Sequence, residues 1–297
     1  MNIGIIGNGA WGQALATLVS KAGHQPRIGY REGSPGGFPG TPNLAMLSSE
    51  SDLVLVAVPS TRVAEVIEAA QPGAGSMVVL ASRGLNPRTG GWLSDLILER
   101  TPCRRVGALT GPALASEVVR GRPTALVVAS PFDEVCVATQ AALHSEHCRI
   151  YSSHDLHGVE LAGAMVKILA VALGVVSGID YGAGATGVVV TRGIAEASRL
   201  GAALGAHPET FSGLAGVGDL VSAAMSPDHP SFGAGLSLAK GGAVASRTIE
   251  QTRAVLALAE AHGISLPLTE AICAIATGEA SPRLAFDELM RREARSE

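Results

Sequence analysis

The chain has 297 residues, 47% of them hydrophobic and 16% charged, which is enough apolar material for a large buried core and a length that predicts two domains. The formal net charge of −4 comes without a basic tail or stripe, so no nucleic-acid partner is expected. Cys103, Cys136, Cys148 and Cys273 stand far apart with no C-x-x-C pair, so they read as reduced thiols, and neither a disulfide framework nor a zinc site is expected.

The first predicted elements are a short buried strand from Met1, a glycine turn and a helix starting near Ala10. The turn carries Gly7-x-Gly9-x-x-Gly12, the spacing of a dinucleotide-binding fingerprint. Gly7 permits the tight turn, Gly9 lets backbone approach a pyrophosphate, and Gly12 lets the helix lie against the strand. The free N–H groups and dipole of that helix would face the anion. With 37 glycines in the chain, the spacing also recurs at Gly182-x-Gly184-x-x-Gly187, but no strand precedes that copy and it reads as a loop or tight helix packing. The first strand begins at Met1 with no charged leader or cleavage site, so no signal peptide is expected.

Gln25–Tyr30 reads as the second strand, with Arg31 and Glu32 at its tip. A carboxylate there suits the ribose 2′-hydroxyl of NAD and an arginine the 2′-phosphate of NADP; Arg31 leans towards NADP and Glu32 keeps NAD open. Residues 33–43 are rich in Gly and Pro and predict an irregular loop. Leu53–Val58, Met77–Ser82, Val106–Thr110 and Thr124–Ala129 are continuous apolar runs separated by helical spacers, the pattern of a parallel sheet covered on both faces. Ligands in such sheets bind at the carboxyl ends of the strands, so Pro59, Ser60, Arg83, Gly111 and Pro112 are expected around one crevice.

From Tyr151 the pattern becomes helical, rich in Ala and Leu, with Tyr151–Asp155 as the join. The stretch Leu161–Ile179 carries Lys167 near its middle and reads as a buried helix rather than a membrane span. The expected architecture is an α/β Rossmann domain with a doubly wound parallel sheet (residues 1–152), followed by an all-α domain (residues 153–297), an arrangement similar to that of 6-phosphogluconate dehydrogenase. Burying the Lys167 ammonium is costly without a partner, so it either meets a carboxylate in a polar cleft or snorkels from the bundle. Asp219, among the glycines of Gly216-Val217-Gly218, is the candidate partner, with a helix N-cap as its plain alternative. Arg192 reads as a structural partner of Glu196, four residues on. No histidine spacing predicts a metal ligand set, and His229 lies in a turn.

The chain resembles the NAD(P)-dependent glycerol-3-phosphate dehydrogenase family over nearly its whole length. The resemblance rests on Gly7-Asn8-Gly9-Ala10-Trp11-Gly12, Val56-Ala57-Val58-Pro59-Ser60, Gly111–Val118, Asp155-x-x-Gly158-Val159-Glu160-Leu161, Thr191-Arg192-Gly193 and Leu214–Leu220. It implies reduction of dihydroxyacetone phosphate to glycerol 3-phosphate by NADPH or NADH, in the cytoplasm and towards phospholipids, with no membrane span and with a homodimer as the common assembly. Lys167, as the cation of its helix, and Asp219, which the resemblance keeps, are the candidate catalytic residues, and cofactor contacts are expected at Gly7, Asn8, Gly9, Ala10, Trp11, Gly12, Arg31, Pro59, Arg83 and Ala115. Substrate contacts are implied at Arg83, Gly111, Ala113 and Asp219. Three departures stand out. Arg83 replaces a lysine of the family. The family's Gly-Ala-Leu-Lys-Asn lysine falls on Val166, leaving Lys167 one residue on, about 100° around a helix. A phosphate-holding Ser-Arg-Asn-Arg segment is replaced by the shorter Asp228-His229-Pro230-Ser231. These departures predict a reaction of the same type, with two alternatives: a different small ketone or imine as substrate, or an NADPH-binding protein without turnover.

Overall fold

A computed structural model describes residues 1–291; positions 292–297 of the expected second domain lie outside the described residues. Strands and helices alternate in the first part: β1 (Ile3–Ile6), α1 (Ala10–Lys21), β2 (Pro26–Gly29), β3 (Gly40–Thr41), α2 (Leu44–Ser49), β4 (Leu53–Val56), α3 (Val63–Ala70), β5 (Met77–Leu80), α4 (Leu93–Arg100), β6 (Arg105–Thr110), α5 (Ala115–Val119), β7 (Thr124–Ala129), α6 (Asp133–Leu143) and β8 (Cys148–Ser153). They form one sheet in the order β3-β2-β1-β4-β5-β6-β7-β8. The order reverses between β1 and β4, which opens the crevice where such sheets take ligands.

The central strands are apolar on both faces because both faces are covered. Ile3, Ile5, Leu53, Leu55 and Val79 pack on one side with α1 and α6, while Ile6, Val54, Val56, Val78 and Leu80 pack on the other with α3 and α4. Period-two alternation of side chains produces this division. The sheet departs from the all-parallel expectation at one place: β6 and β7 pair antiparallel, and β8 then runs parallel to β7. A continuous apolar run reports burial, not direction, so β7 was readable as a strand and its orientation was not. The join expected at Tyr151–Asp155 also shifts, because Tyr151–Ser153 complete β8.

The remaining elements are helical: α7 (Leu156–Gly178), α8 (Gly182–Ala203), α9 (Pro208–Ser212), α10 (Asp219–Ala224), α11 (Pro230–Ala239), α12 (Ser246–Ala261), α13 (Pro267–Thr277) and α14 (Pro282–Arg291). Helix α7 is the axis. Between Gly158 and Val176 every residue but Lys167 is buried, and α8, α10, α11, α12 and α13 all pack on it. Among the described residues it is the one helix long and apolar enough to cross a membrane, and 94% of that apolar window is buried inside the protein. The second glycine fingerprint opens α8, so it forms the first turn of a helix without a strand before it.

Buried carboxylates tie the helices together. Asp155 caps α7 through Gly158 N at 3.0 Å and also accepts from His207 N, at the entry to α9. Glu160 accepts from the N–H groups of Leu93 and Ser94 at 3.0 and 3.1 Å, capping α4 and joining α7 to the sheet domain. Glu196 accepts from Leu268 N and Thr269 N and caps α13.

Candidate active site

The glycine turn has the form its spacing requires. Gly7 has φ +120°, and a Cβ there would lie 2.4 Å from the carbonyl oxygen of Ala57. A Cβ on Gly12 would lie 1.9 Å from the carbonyl oxygen of Gly7, so only glycine lets α1 start this close to β1. At Gly9 a Cβ would meet nothing within 4 Å. That open space lies against the start of α1, which has no side-chain cap and no acidic residue in its first turn. A diphosphate therefore fits there, with N–H groups and the helix dipole facing it.

Neighbouring side chains brace this turn. Trp11 donates from Nε1 to the carbonyl oxygen of Ala81 at 3.1 Å, fixing α1 to the exit of β5. Asn8 donates to the carbonyls of Glu32 and Ser34, at 2.8 and 3.1 Å, and so holds the loop after β2. Its side chain thus shapes the loop, while its backbone remains part of the turn. At the tip of β2, Arg31 pairs with Glu65 and lies 3.6 Å from Glu32. Arg62 meets the same Glu65 carboxylate at 2.6 Å. The two guanidinium groups hold that carboxyl below its usual range, Arg62 being the larger influence.

The carboxyl ends of β4, β5 and β6 converge on Arg83. Its Nη1 stands 2.8 Å from Asp219 Oδ2, and its Nη2 donates to the carbonyl oxygen of Gly111 at 2.8 Å. Helix α7 passes over the Arg83 stem at Gly163, where a Cβ would sit 3.6 Å from Arg83 Cγ. Lys167, one turn further along α7, donates from Nζ to the backbone carbonyl of Arg83 at 3.3 Å. The one-residue shift therefore leaves its ammonium in the cleft. Burial, aided by the charges of Arg83 and Arg247, pulls its pKa down to about 8. Asp219 is reached through a widened π turn, Leu214–Gly218, in which a Cβ on Gly216 would lie 1.9 Å from the carbonyl oxygen of Phe211. Burial raises the Asp219 carboxyl to about 6 although Arg83 opposes the shift.

One expected pairing is corrected: Asp219 meets Arg83, not Lys167. The reason is reach, since Lys167 is occupied at the Arg83 main chain while the longer arginine fork spans to α10. Gly111 is in the cleft through its carbonyl. Ala113, expected at the substrate, packs its methyl into the core cluster with Leu15 and Val118, and Ala115 packs against the same cluster. Pro59 is exposed beside buried Ser60 at the exit of β4. Arg192 is exposed on α8.

Two residues of the site were not singled out from the sequence. Gln251 of α12 is 2% exposed and accepts through Oε1 from Leu85 N at 3.1 Å and from Ser60 Oγ at 3.5 Å, clipping the helical domain to the exits of β4 and β5. A Cβ on Gly84, which has φ +124°, would lie 2.1 Å from that oxygen. His229, at the start of α11, is 6% exposed, and burial together with the nearby Arg83 charge lowers its pKa to about 4. No group of three or more His, Cys, Asp or Glu suited to a metal occurs among the described residues.

Residues 35–136 match the sequence profile described as the NAD-dependent glycerol-3-phosphate dehydrogenase N-terminus, and residues 155–287 match that of the C-terminus. A protein of Halorhodospira halophila named glycerol-3-phosphate dehydrogenase (NAD(P)+) is 34% identical over 325 residues, covering 99% of this chain and 98% of that one. One of the same name from Mesorhizobium japonicum is 36% identical, covering 99% and 93%. The crystal structure of glycerol-3-phosphate dehydrogenase from Coxiella burnetii superposes with a TM-score of 0.91 at 28% identity, covering 98% of this chain and 99% of that one.

Proposed function

The chain belongs to the NAD-dependent glycerol-3-phosphate dehydrogenase family, and from that premise we propose how its own residues carry the reaction. It is an NAD(P)-dependent dehydrogenase acting on a CH–OH group, interconverting dihydroxyacetone phosphate and glycerol 3-phosphate. The observation that carries this reading is the convergence of Arg83, Asp219 and Lys167 at the strand ends beside the glycine turn.

Bound NAD(P)H supplies the hydride. Charge then develops on the carbonyl oxygen of the ketone and needs a proton or a cation. Lys167 donates that proton, its pKa of about 8 leaving it charged at neutral pH yet able to release. The C=O bond becomes C–O–H, Lys167 becomes a neutral amine, and solvent recharges it. Arg83, fixed by Asp219 and the Gly111 carbonyl, holds an anionic oxygen of the substrate with the remaining face of its fork. Asp219 acts as the positioning carboxylate for Arg83. Gly7, Gly9 and Gly12 with the opening of α1 take the pyrophosphate, and Arg31 reads the 2′ position of the adenosine ribose. The sheet domain, which ends with β8 at Ser153, is the cofactor unit and the helices from α7 onward are the substrate unit. The protein is read as a cytoplasmic homodimer, for which size-exclusion mass is the check.

A second reading keeps the chemistry and changes the ketone. It is favoured by the turn at Ser226–His229, which offers no arginine fork. Oxidation of NADPH is followed with dihydroxyacetone phosphate and with unphosphorylated ketones at millimolar concentration. Preference for the phosphorylated ketone supports the first reading, and preference for a neutral or carboxylated ketone supports the second. Tight cofactor binding with no turnover on any of them would overturn both.

A further inference from the structure

Gln251 stands in the second turn of α12 and reaches across to the sheet domain, buried on all sides. Its Oε1 accepts from Leu85 N at 3.1 Å and, more loosely, from Ser60 Oγ at 3.5 Å. A main-chain N–H can only donate, so the amide oxygen is the atom turned towards Leu85. The other half of the amide, Nε2, is buried and makes no hydrogen bond among the described residues. A buried donor left unpaired weakens a fold. The amide therefore does not earn its place by stability, and its oxygen has to be judged by what it holds.

What it holds is the turn Arg83-Gly84-Leu85. Gly84 has φ +124°, and a Cβ there would lie 2.1 Å from Gln251 Oε1, so the amide lies directly against the turn. Gly84 is also the single residue between two anchored peptide groups. Before it, the carbonyl of Arg83 accepts from Lys167 Nζ at 3.3 Å. After it, Leu85 N donates to Gln251. Glycine offers little resistance to rotation, so the direction of the Arg83 carbonyl depends on the hold at Leu85. The Arg83 guanidinium does not share this dependence, because Asp219 and the Gly111 carbonyl fix it separately.

We propose that Gln251 is a positioning residue that acts through Lys167: its amide oxygen holds the Arg83–Leu85 turn from the helical domain and so aims the backbone carbonyl on which the Lys167 ammonium rests. The consequence for turnover rests on the reading of Lys167 as the proton donor. The consequence for the ammonium itself does not.

The test uses the full chain, with and without NADPH, and three variants. Gln251→Met removes the acceptor and the unpaired donor together, so it should melt close to the wild type. Gln251→Asn folds as a polar residue but is one methylene too short to reach Leu85, and it carries the test should the methionine variant fold poorly. Gln251→Glu keeps an acceptor oxygen at the same reach. The chain has three lysines, Lys21, Lys167 and Lys240, so protein labelled at lysine Cε reports each titration by NMR. With its acceptor loosened, the ammonium is less favoured, and the Lys167 titration in Gln251→Met and Gln251→Asn should move down by about half a pH unit or more while Lys21 and Lys240 stay. The kcat for ketone reduction should fall about tenfold or more, with KM and the Kd of NADPH nearly unchanged, since a misaimed donor slows the chemical step and leaves Arg83 in place. Gln251→Glu should recover most of that kcat. An unmoved Lys167 titration in both variants, a KM that rises while kcat holds, or a glutamate variant as slow as methionine overturns the assignment and leaves Gln251 as a contact between domains. Should the wild type reduce no ketone, the reaction reading fails and the Lys167 titration still decides whether Gln251 holds the carbonyl.

Discussion

Arg83 and Asp219 meet across the two halves of the molecule, Nη1 to Oδ2 at 2.8 Å, with the arginine from the exit of β5 and the aspartate from the first turn of α10. The carboxylate side chain is 3% exposed and the guanidinium 19%, so the contact is largely shielded from water. Cutting such a pair leaves an uncompensated charge behind, at a cost of about 3–5 kcal/mol.

Arg83→Met is therefore expected to destabilise the fold in a pH-dependent way. Without the arginine, the Asp219 carboxyl, already raised to about 6 by burial, moves higher still. A folded-state pKa above the unfolded one means that the stability contribution is fully present below the unfolded value and is lost as pH rises through the folded value. Denaturant midpoints should then nearly match the wild type at pH 4 and fall behind by about 3 kcal/mol at pH 8. Arg83→Lys should keep the charge and much of this stability while losing the Gly111 contact. An equal loss at both pH values would show that Asp219 is not the group left exposed to the deficit.

Lys167 sets the second expectation. On the proposed mechanism, reduction needs its ammonium, which is present below about pH 8, and oxidation of the alcohol needs the free amine, which is present above that pH. The kcat/KM for the ketone should fall with rising pH around 8, and that for the alcohol should rise through the same region. On the acid side, protonation of Asp219 near pH 6 loosens Arg83 and should lower both. Lys167→Met should lower kcat about 10²–10⁴-fold and erase the alkaline limb, with NADPH binding unchanged. A Lys167→Met enzyme that keeps the limb would place the titrating group elsewhere.

How much of this was legible beforehand depended on how local the signal was. Ile3–Ile6 and Leu53–Val56 are apolar throughout and declare buried strands, and the glycine spacing fixes the turn between β1 and α1. Strand β8 was hidden because Arg149 and Tyr151 are exposed, so its Cys-Arg-Ile-Tyr run resembles a linker. Lys167 stood out as the cation of an otherwise apolar helix. Its environment did not, because the Arg83 carbonyl that accepts from it and the charges of Arg83 and Arg247 that act on it lie about 80 residues away in either direction. His229 reads as part of a turn in Ser-Pro-Asp-His-Pro and becomes interior because α11 docks on α7 through Gly174 and Gly235. Tertiary contact, not propensity, assigns these residues to the cleft.

The glycine turn gives a prediction that separates binding from folding. Gly9 has φ −70° and ψ 178°, which any residue adopts, and a Cβ there meets nothing within 4 Å. Gly9→Val should leave the melting temperature nearly unchanged while its branched side chain fills the pyrophosphate space, weakening NADPH by about 100-fold or more. Gly12→Ala forces a Cβ to within 1.9 Å of the Gly7 carbonyl, so α1 must move off β1 at a cost of about 1–3 kcal/mol. Fluorescence titration and thermal melts on both variants check this; a Gly9 variant with wild-type affinity would remove the diphosphate from the turn.

Glu65 at the start of α3 holds both Arg31 and Arg62. The exit of β2 is where the adenosine ribose lies in this fold, so Arg31 is placed to meet a 2′-phosphate. The same carboxylate that gathers the two guanidinium groups also repels that phosphate, and both arginines stay solvated around it. If Arg31 holds the 2′ position as proposed, Arg31→Ser should raise the Kd of NADPH about 10-fold or more and leave NADH unchanged, since only NADPH carries a 2′-phosphate. Glu65→Gln should act in the opposite sense: with the competing carboxylate gone, Arg31 and Arg62 turn to the phosphate and NADPH binds several-fold tighter. The NADPH-to-NADH ratio of Kd values, measured on both variants at low and high salt, reads the effect, and high salt should shrink it because the groups are exposed. Equal weakening of both cofactors in Arg31→Ser would assign Arg31 to the fold of the loop rather than to the 2′ position.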